Sequence, residues 1–257
     1  MLEKINHKSA PKEVVNALVT LYHQGKFDDV LSRSSQLIKE YPHTFVLQNI
    51  IGAICFEKGQ KKVAIEHFRK VIELRPHHPH AYNNLGATLM DIGEYEEAKS
   101  NLKKAIELQP DYAEAYNNLG NVYKEMEEYN QAISVYEKAI ELNPEYYEAY
   151  NNLGVVLGKN EQYEEAEKVL KQVIKLQPDF VEALNNLGSI LTCMEKYEES
   201  KAILNRSIEI HPSNAEALSN LGDIYRKLDE HEHAADHYRR AIQLKPNYYE
   251  ALNGMGL

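Results

Sequence analysis

Ala81-Tyr82-Asn83-Asn84-Leu85-Gly86, then Gly93-Glu94-Tyr95-Glu96-Glu97-Ala98, then Ala105-Ile106-Glu107-Leu108-Gln109-Pro110 make up most of one segment whose beat recurs along the chain. Proline returns every 34 residues, at Pro42, Pro76, Pro110, Pro144, Pro178, Pro212 and Pro246, without an insertion or deletion. With that proline at place 32, the units begin at Pro11, Phe45, Pro79, Ala113, Tyr147, Val181 and Ala215. A fixed period of this size marks a stack of supersecondary units, and it decides the fold class before local propensities are weighed.

Glycine occupies place eight, as Gly52, Gly86, Gly120, Gly154, Gly188 and Gly222, and a small residue follows twelve places on, as Ala64, Ala98, Ala132, Ala166, Ser200 and Ala234. Small residues at a crossing let two antiparallel helices approach to the near end of the usual ~8–10 Å range. Leu85, Leu119, Leu153, Leu187 and Leu221 on a first helix, with Leu102, Tyr136, Leu170, Leu204 and Tyr238 on a second, fill the space around it. Their spacing is helical, not alternating. Proline closes the second helix, and a polar turn such as Ile92-Gly93-Glu94-Tyr95 joins the two. Ser213 before Glu216, Asp111 before Glu114 and Asp179 before Glu182 have the spacing of a capping box. The place-two row Glu114, Glu148, Glu182, Glu216 and Glu250 is therefore expected to serve helix starts and offset the macrodipole. Its other reading is an acidic lip for basic peptides.

The quoted unit resembles a near-consensus tetratricopeptide repeat (TPR), in period, small-residue placement and proline together. The resemblance implies an all-α fold, an α-solenoid in which helix-turn-helix repeats wind into a right-handed superhelix, with first helices lining the inner surface. Residues 1–10 read as an N-terminal leader and 11–44 as a degenerate capping unit, with Leu18 at the glycine place and Val30 at the alanine place. Six consensus units follow, at 45–78, 79–112, 113–146, 147–180, 181–214 and 215–248. Residues 249–257 reproduce the opening of an eighth; half a unit cannot bury its apolar face, so the sequence reads as a piece of a longer protein or as an end that packs on a second copy.

In the TPR family places two, five, six, nine, twelve and thirteen of the first helix face inward. Here place five carries Asn49, Asn83, Asn117, Asn151, Asn185 and Asn253, and place six Asn84, Asn118, Asn152, Asn186 and Asn220. A carboxamide both donates and accepts, so it can pair with a peptide unit. The rows resemble the asparagine ladder in the superhelix of O-GlcNAc transferase and in importin-type solenoids, which grips backbone rather than sequence. The expected peptide-binding residues are Asn83, Asn84, Asn117, Asn118, Asn121, Lys124, Asn151, Asn152, Asn185, Asn186, Asn220 and Arg226. Against this stands the plain reading that asparagine at place six belongs to the TPR consensus. The carboxylate clamp of TPR cochaperones needs Lys, Lys and Arg where this chain has Asn, Glu and Asn, which disfavours a chaperone-tail ligand.

Composition narrows the rest. The chain has 39 acidic and 29 basic residues, net charge −10, and no basic stripe, so nucleic acid is not an expected partner. No apolar run is long enough for a membrane span, and no signal peptide is evident; a cytoplasmic location is expected. Cys55 and Cys193 are too few for a zinc site or disulfide framework. Cys55 falls at a core place and Cys193 on the inner face. His231-Glu232 lacks the second histidine of a metalloprotease motif, since Ala235 stands there, and His233 and His237 read as exposed helix positions. No phosphate loop or nucleophile elbow occurs, so neither metal nor cofactor is expected. The leading function is a non-catalytic scaffold that binds a protein or extended peptide in the concave groove. Two other classes remain. One is the substrate-recruiting arm of a larger enzyme of glycosyltransferase, sulfotransferase or oxygenase type, interrupted after residue 257; the other is a homo-oligomer joined through open repeat ends.

Overall fold

The computed structural model describes residues 9–256; residues 1–8, most of the expected leader, and Leu257 lie outside the described residues. Among the described residues there are fifteen α-helices and no strand. The first helices of the seven units are α1 (Lys12–His23), α3 (Phe45–Glu57), α5 (Pro79–Met90), α7 (Ala113–Glu125), α9 (Tyr147–Lys159), α11 (Val181–Cys193) and α13 (Ala215–Lys227). The second helices are α2 (Phe27–Glu40), α4 (Lys61–Leu74), α6 (Tyr95–Leu108), α8 (Tyr129–Leu142), α10 (Tyr163–Leu176), α12 (Tyr197–Ile210) and α14 (His231–Leu244), and α15 (Tyr249–Met255) opens the next unit.

The chain divides into two compact bodies, one ending at Glu127 and one beginning at Glu128. In the first body each helix packs on the next, and α1, α3, α5 and α7 also lie side by side. In the second, α8 to α15 pack in the same serial way, with α9, α11, α13 and α15 as the contiguous row. Each body is thus a solenoid of helix hairpins.

Burial follows from that layering. Second helices bury one narrow stripe, at Ala64, Phe68 and Val71 in α4, Ala98, Leu102 and Ala105 in α6, and Ala166, Leu170 and Val173 in α10. That is the i, i+4, i+7 seam of a helix with neighbours on one side only. A first helix is flanked on both sides, and α11 accordingly buries Leu184, Asn185, Leu187, Ile190, Leu191 and Thr192.

The place-eight glycine is needed for the crossing itself. A Cβ on Gly86 would stand 2.6 Å from Leu102 Cγ and 3.2 Å from the Ala98 carbonyl oxygen; one on Gly188 would stand 2.5 Å from Leu204 Cδ2. The glycine therefore faces the large residue four places after the small one as much as the small one itself. In the first unit Leu18 and Val30 fill this space and are fully buried with Leu47, Ile50 and Ile54.

Second helices stop where the proline requires. Gln109 (φ −140°, ψ 90°) and Lys245 (φ −138°, ψ 90°) precede their prolines in extended backbone, the conformation that proline's ring imposes on its predecessor. The helix starts depart from the expected capping box. The N-caps are Tyr112, Phe180 and Asn214, one residue after Asp111, Asp179 and Ser213, and of these only Asn214 caps with its side chain, accepting from the Ala217 amide at 3.1 Å. The acceptor thus sits one place too early for the orphan amides of the first turn.

Candidate functional site

The two asparagine rows occupy different layers. Asn83, Asn117 and Asn185 at place five are buried between adjacent first helices, whereas Asn84, Asn118, Asn151, Asn152, Asn186 and Asn220 are half-buried. In the first body Asn83 Nδ2 donates to Glu114 Oε1 at 2.9 Å, and its Oδ1 accepts from Asn118 Nδ2 at 2.9 Å. In the second, Asn186 Nδ2 donates to Asn151 Oδ1 at 2.9 Å and Asn220 Nδ2 to Ser189 Oγ at 3.0 Å. Asn185 donates to Glu216 Oε2 at 3.0 Å and exchanges amide hydrogen bonds with Asn214, at 2.9 and 3.3 Å.

Apart from the Asn185–Asn214 pair, these bonds run from one repeat to the next. A buried carboxamide left without partners costs about 1–3 kcal/mol; for Asn83 the following repeat supplies them, and for Asn185 they come from Glu216 of the following repeat and from Ser207 and Asn214 of its own. Asn83 and Asn185 thus spend hydrogen-bonding capacity within the fold, and Asn83 does so while still lining the inward cavity described below. Glu114 and Glu216 likewise act as acceptors for the preceding repeat rather than as capping-box members. Asn84 differs: it is half-buried, it faces the inner surface, and its carboxamide has no hydrogen-bond partner among the described residues.

Each body has a concavity walled mainly by its first helices. In the first body a cavity of about 380 Å³ is bounded by Tyr22, Ala53, Phe56, Asn84, Ala87 and Asn118. Tyr22 is half-buried there, and burial followed by the charge of Glu57 raises its pKa. In the second body a cavity of about 280 Å³ lies among Ser189, Thr192, Cys193, Asn220, Arg226 and Lys227. Arg226 is exposed and pairs with Asp223 at 3.3 Å, while the buried Tyr238 hydroxyl donates to Asp223 Oδ1 at 2.7 Å. Lys124 is half-buried and pairs with Glu125 at 3.4 Å; Asn121, also half-buried, has an interaction of its own. Tyr22, Ala53, Phe56 and Ala87 were not singled out from the sequence, although their places nine and twelve are inward ones.

The other suspected constellations resolve simply. His233 and His237 contact the Tyr225 ring, the latter stacked at 5.2 Å. Among the described residues no group of three or more His, Cys, Asp or Glu side chains could hold a metal, and no helix is long and apolar enough to cross a membrane. Cys55 is buried and its thiol pKa is raised by that burial; Cys193 is exposed on the inner face. Tyr82, Tyr95, Tyr116, Tyr129, Tyr150, Tyr163 and Tyr197 are all half-buried in the repeat packing.

Helix hairpins of 34 residues, crossed at glycine and stacked through their first helices, define a tetratricopeptide-repeat protein. The model of the cilia and flagella-associated protein 70 C-terminal domain, a TPR family, matches residues 13–253, and the chain belongs to that family. Among solved structures it is similar to YrrB, described as a TPR protein with an unusual peptide-binding site, at 30% identity and TM-score 0.58, covering 74% of this chain and 98% of that one. MamA matches at 29% identity and TM-score 0.57 over 66% of this chain and 93% of its own. A tetratricopeptide repeat protein from Parabacteroides merdae ATCC 43184 shares the fold at 16% identity, TM-score 0.74, over 95% of this chain and 97% of that one. A comparison with curated proteins gave no match. The fold is one typical of protein-interaction scaffolds.

Proposed function

We propose that this chain is a non-catalytic scaffold that holds an extended segment of a partner protein against the inward faces of its first helices. The observation that carries this reading is Asn84. Its carboxamide lies at the wall of a cavity of about 380 Å³ and has no hydrogen-bond partner among the described residues, while Asn83 and Asn118 beside it are tied to each other at 2.9 Å. An amide in that position is ready to pair with a peptide backbone. The surroundings suit binding: a small number of fixed polar groups beside apolar side chains. The similarity to YrrB, whose description names a peptide-binding site, supports the same reading.

The test is peptide capture by the full chain, compared with Asn84→Ala. Because Asn84 makes no side-chain hydrogen bond among the described residues, the variant should keep its melting temperature and lose affinity about five- to ten-fold, in keeping with one lost hydrogen bond of about 1 kcal/mol or slightly more. Full affinity in a folded Asn84→Ala would count against the ladder.

A further inference from the structure

The inner surface of the first body is not uniformly polar. Tyr22 and Phe56 at place twelve of α1 and α3, with Ala53 and Ala87 at place nine of α3 and α5, give its cavity an apolar floor. The alanines leave the space open where α7 carries Asn121 at the same place. Carboxylates stand at the edge of that floor. Glu57 is exposed and forms no ion pair among the described residues, and Glu114 uses Oε1 for Asn83. Among the described residues no Lys, Arg or His lines the cavity. The Lys61 ammonium, 5.8 Å from the Phe56 ring centroid, is committed to Asp91.

Building on the groove reading, we infer that this cavity seats a bulky apolar side chain of the bound segment whose neighbour in that segment is lysine or arginine. The apolar side chain covers Ala53, Ala87 and the exposed parts of Tyr22 and Phe56, removing their surface from water. The adjacent cation meets Glu57 and the free oxygen of Glu114, and an aromatic face lies within reach for further attraction. Charge complementarity selects the sign: an acidic neighbour would face unpaired carboxylates across a partly desolvated rim. The volume, about 380 Å³, lies in the range of pockets that enclose one such group. Asn84 then holds the backbone on which both side chains are carried.

The experiment pans a random nonapeptide phage library on the full chain and measures the recovered peptides by fluorescence anisotropy. The expected peptides pair Leu, Ile, Met or Phe with an adjacent Lys or Arg. Their affinity should fall at least about ten-fold for Glu57→Lys, which reverses the rim charge, and for Ala87→Phe, which fills the floor. Glu57 is exposed, so Glu57→Lys decides the matter even where Ala87→Phe disturbs packing; circular dichroism melts check both. Recovered peptides that lack the apolar-basic pair, or that bind Glu57→Lys as well as the parent chain, would overturn this inference and leave the groove reading intact. Recovery of no peptide at all would overturn both.

Discussion

The turn between the two helices of a hairpin is built from different residues in the early and late repeats. At place fifteen the first three units have Gly25, Gly59 and Gly93, with φ of 71°, 73° and 82°. The next four have Glu127, Glu161, Glu195 and Asp229 in the same left-handed backbone, with φ of 58° to 61°. Side-chain crowding makes that conformation costly for every residue but glycine. The later repeats therefore hold their turns against a local preference, and packing of the helices on either side supplies the difference. The early repeats need no such support.

The buried asparagine at place five shows the same kind of divergence. Around Asn83, places 27 and 34 are Ala105 and Tyr112, both buried in an apolar cluster with Ala115. Around Asn185 the same places are Ser207 and Asn214, and Ser207 Oγ donates to Asn185 Oδ1 at 2.7 Å while Asn214 Nδ2 donates to Ser207 Oγ at 2.7 Å. One repeat surrounds its asparagine with hydrocarbon and two outward partners; the other builds a closed polar knot. The comparison can be broken with Asn185→Leu and Asn83→Leu. Asn185→Leu strands Ser207 and Asn214, both buried, and should cost about 3 kcal/mol. Asn83→Leu frees only Glu114 and Asn118, which reach water, and should cost about 1 kcal/mol. Equal losses in urea unfolding would show that the knot contributes nothing beyond the shared asparagine.

The turns make the next two tests. Replacing Glu161, Glu195 and Asp229 together by glycine should stabilise the chain by about 2 kcal/mol, because relief of left-handed strain exceeds the extra chain entropy of glycine at each site. The reverse change, Gly93→Glu, introduces no clash, since nothing lies within 4 Å of an added Cβ. It should cost about 1 kcal/mol through the backbone alone. Denaturant midpoints measure both, and a triple variant no more stable than the parent would mean that local hydrogen bonds have already relieved the strain.

These particulars show what a single sequence can and cannot reveal. The 34-residue beat gave the hairpins and their boundaries, because proline and place-eight glycine act through local sterics: Gly86 has no room for a Cβ beside Leu102 wherever the repeat stands. The turn at Gly93 was legible for the same reason, and the one at Glu127 only through its register with Gly93. Helix caps were misplaced by one residue. That single step decides whether a side-chain oxygen can reach the first free amides, and Asn214 does where Ser213 does not. The fate of the asparagines was hidden altogether. Asn83 meets partners 31 and 35 residues away, and whether Asn185 is exposed to a ligand depends on Ser207 and Asn214, which belong to other helices and turns. Inward position is a property of the repeat; the free or committed state of a polar group depends on its neighbours.

The smallest effect separates the halves by pH. Tyr238, at place 24 of the last full repeat, stands where the third unit has Leu102. Its phenol is pushed up to about 12, by burial first and then by the hydrogen bond to Asp223. An unfolded tyrosine loses its proton near pH 10, so the folded chain favours the neutral phenol. That advantage is present in full below pH about 10 and is lost as the pH rises toward 12. Tyr248, also pushed up to about 12 by burial, adds to the same decline. Tyr238→Phe should cost about 1 kcal/mol at neutral pH, through the lost bond to Asp223, and should show a shallower fall in melting temperature between pH 10 and 12. All other groups are common to both proteins and cancel in the difference. The two curves should therefore converge as the solution becomes alkaline; parallel curves would mean that the Tyr238 phenol titrates in the folded chain as it does in the unfolded one.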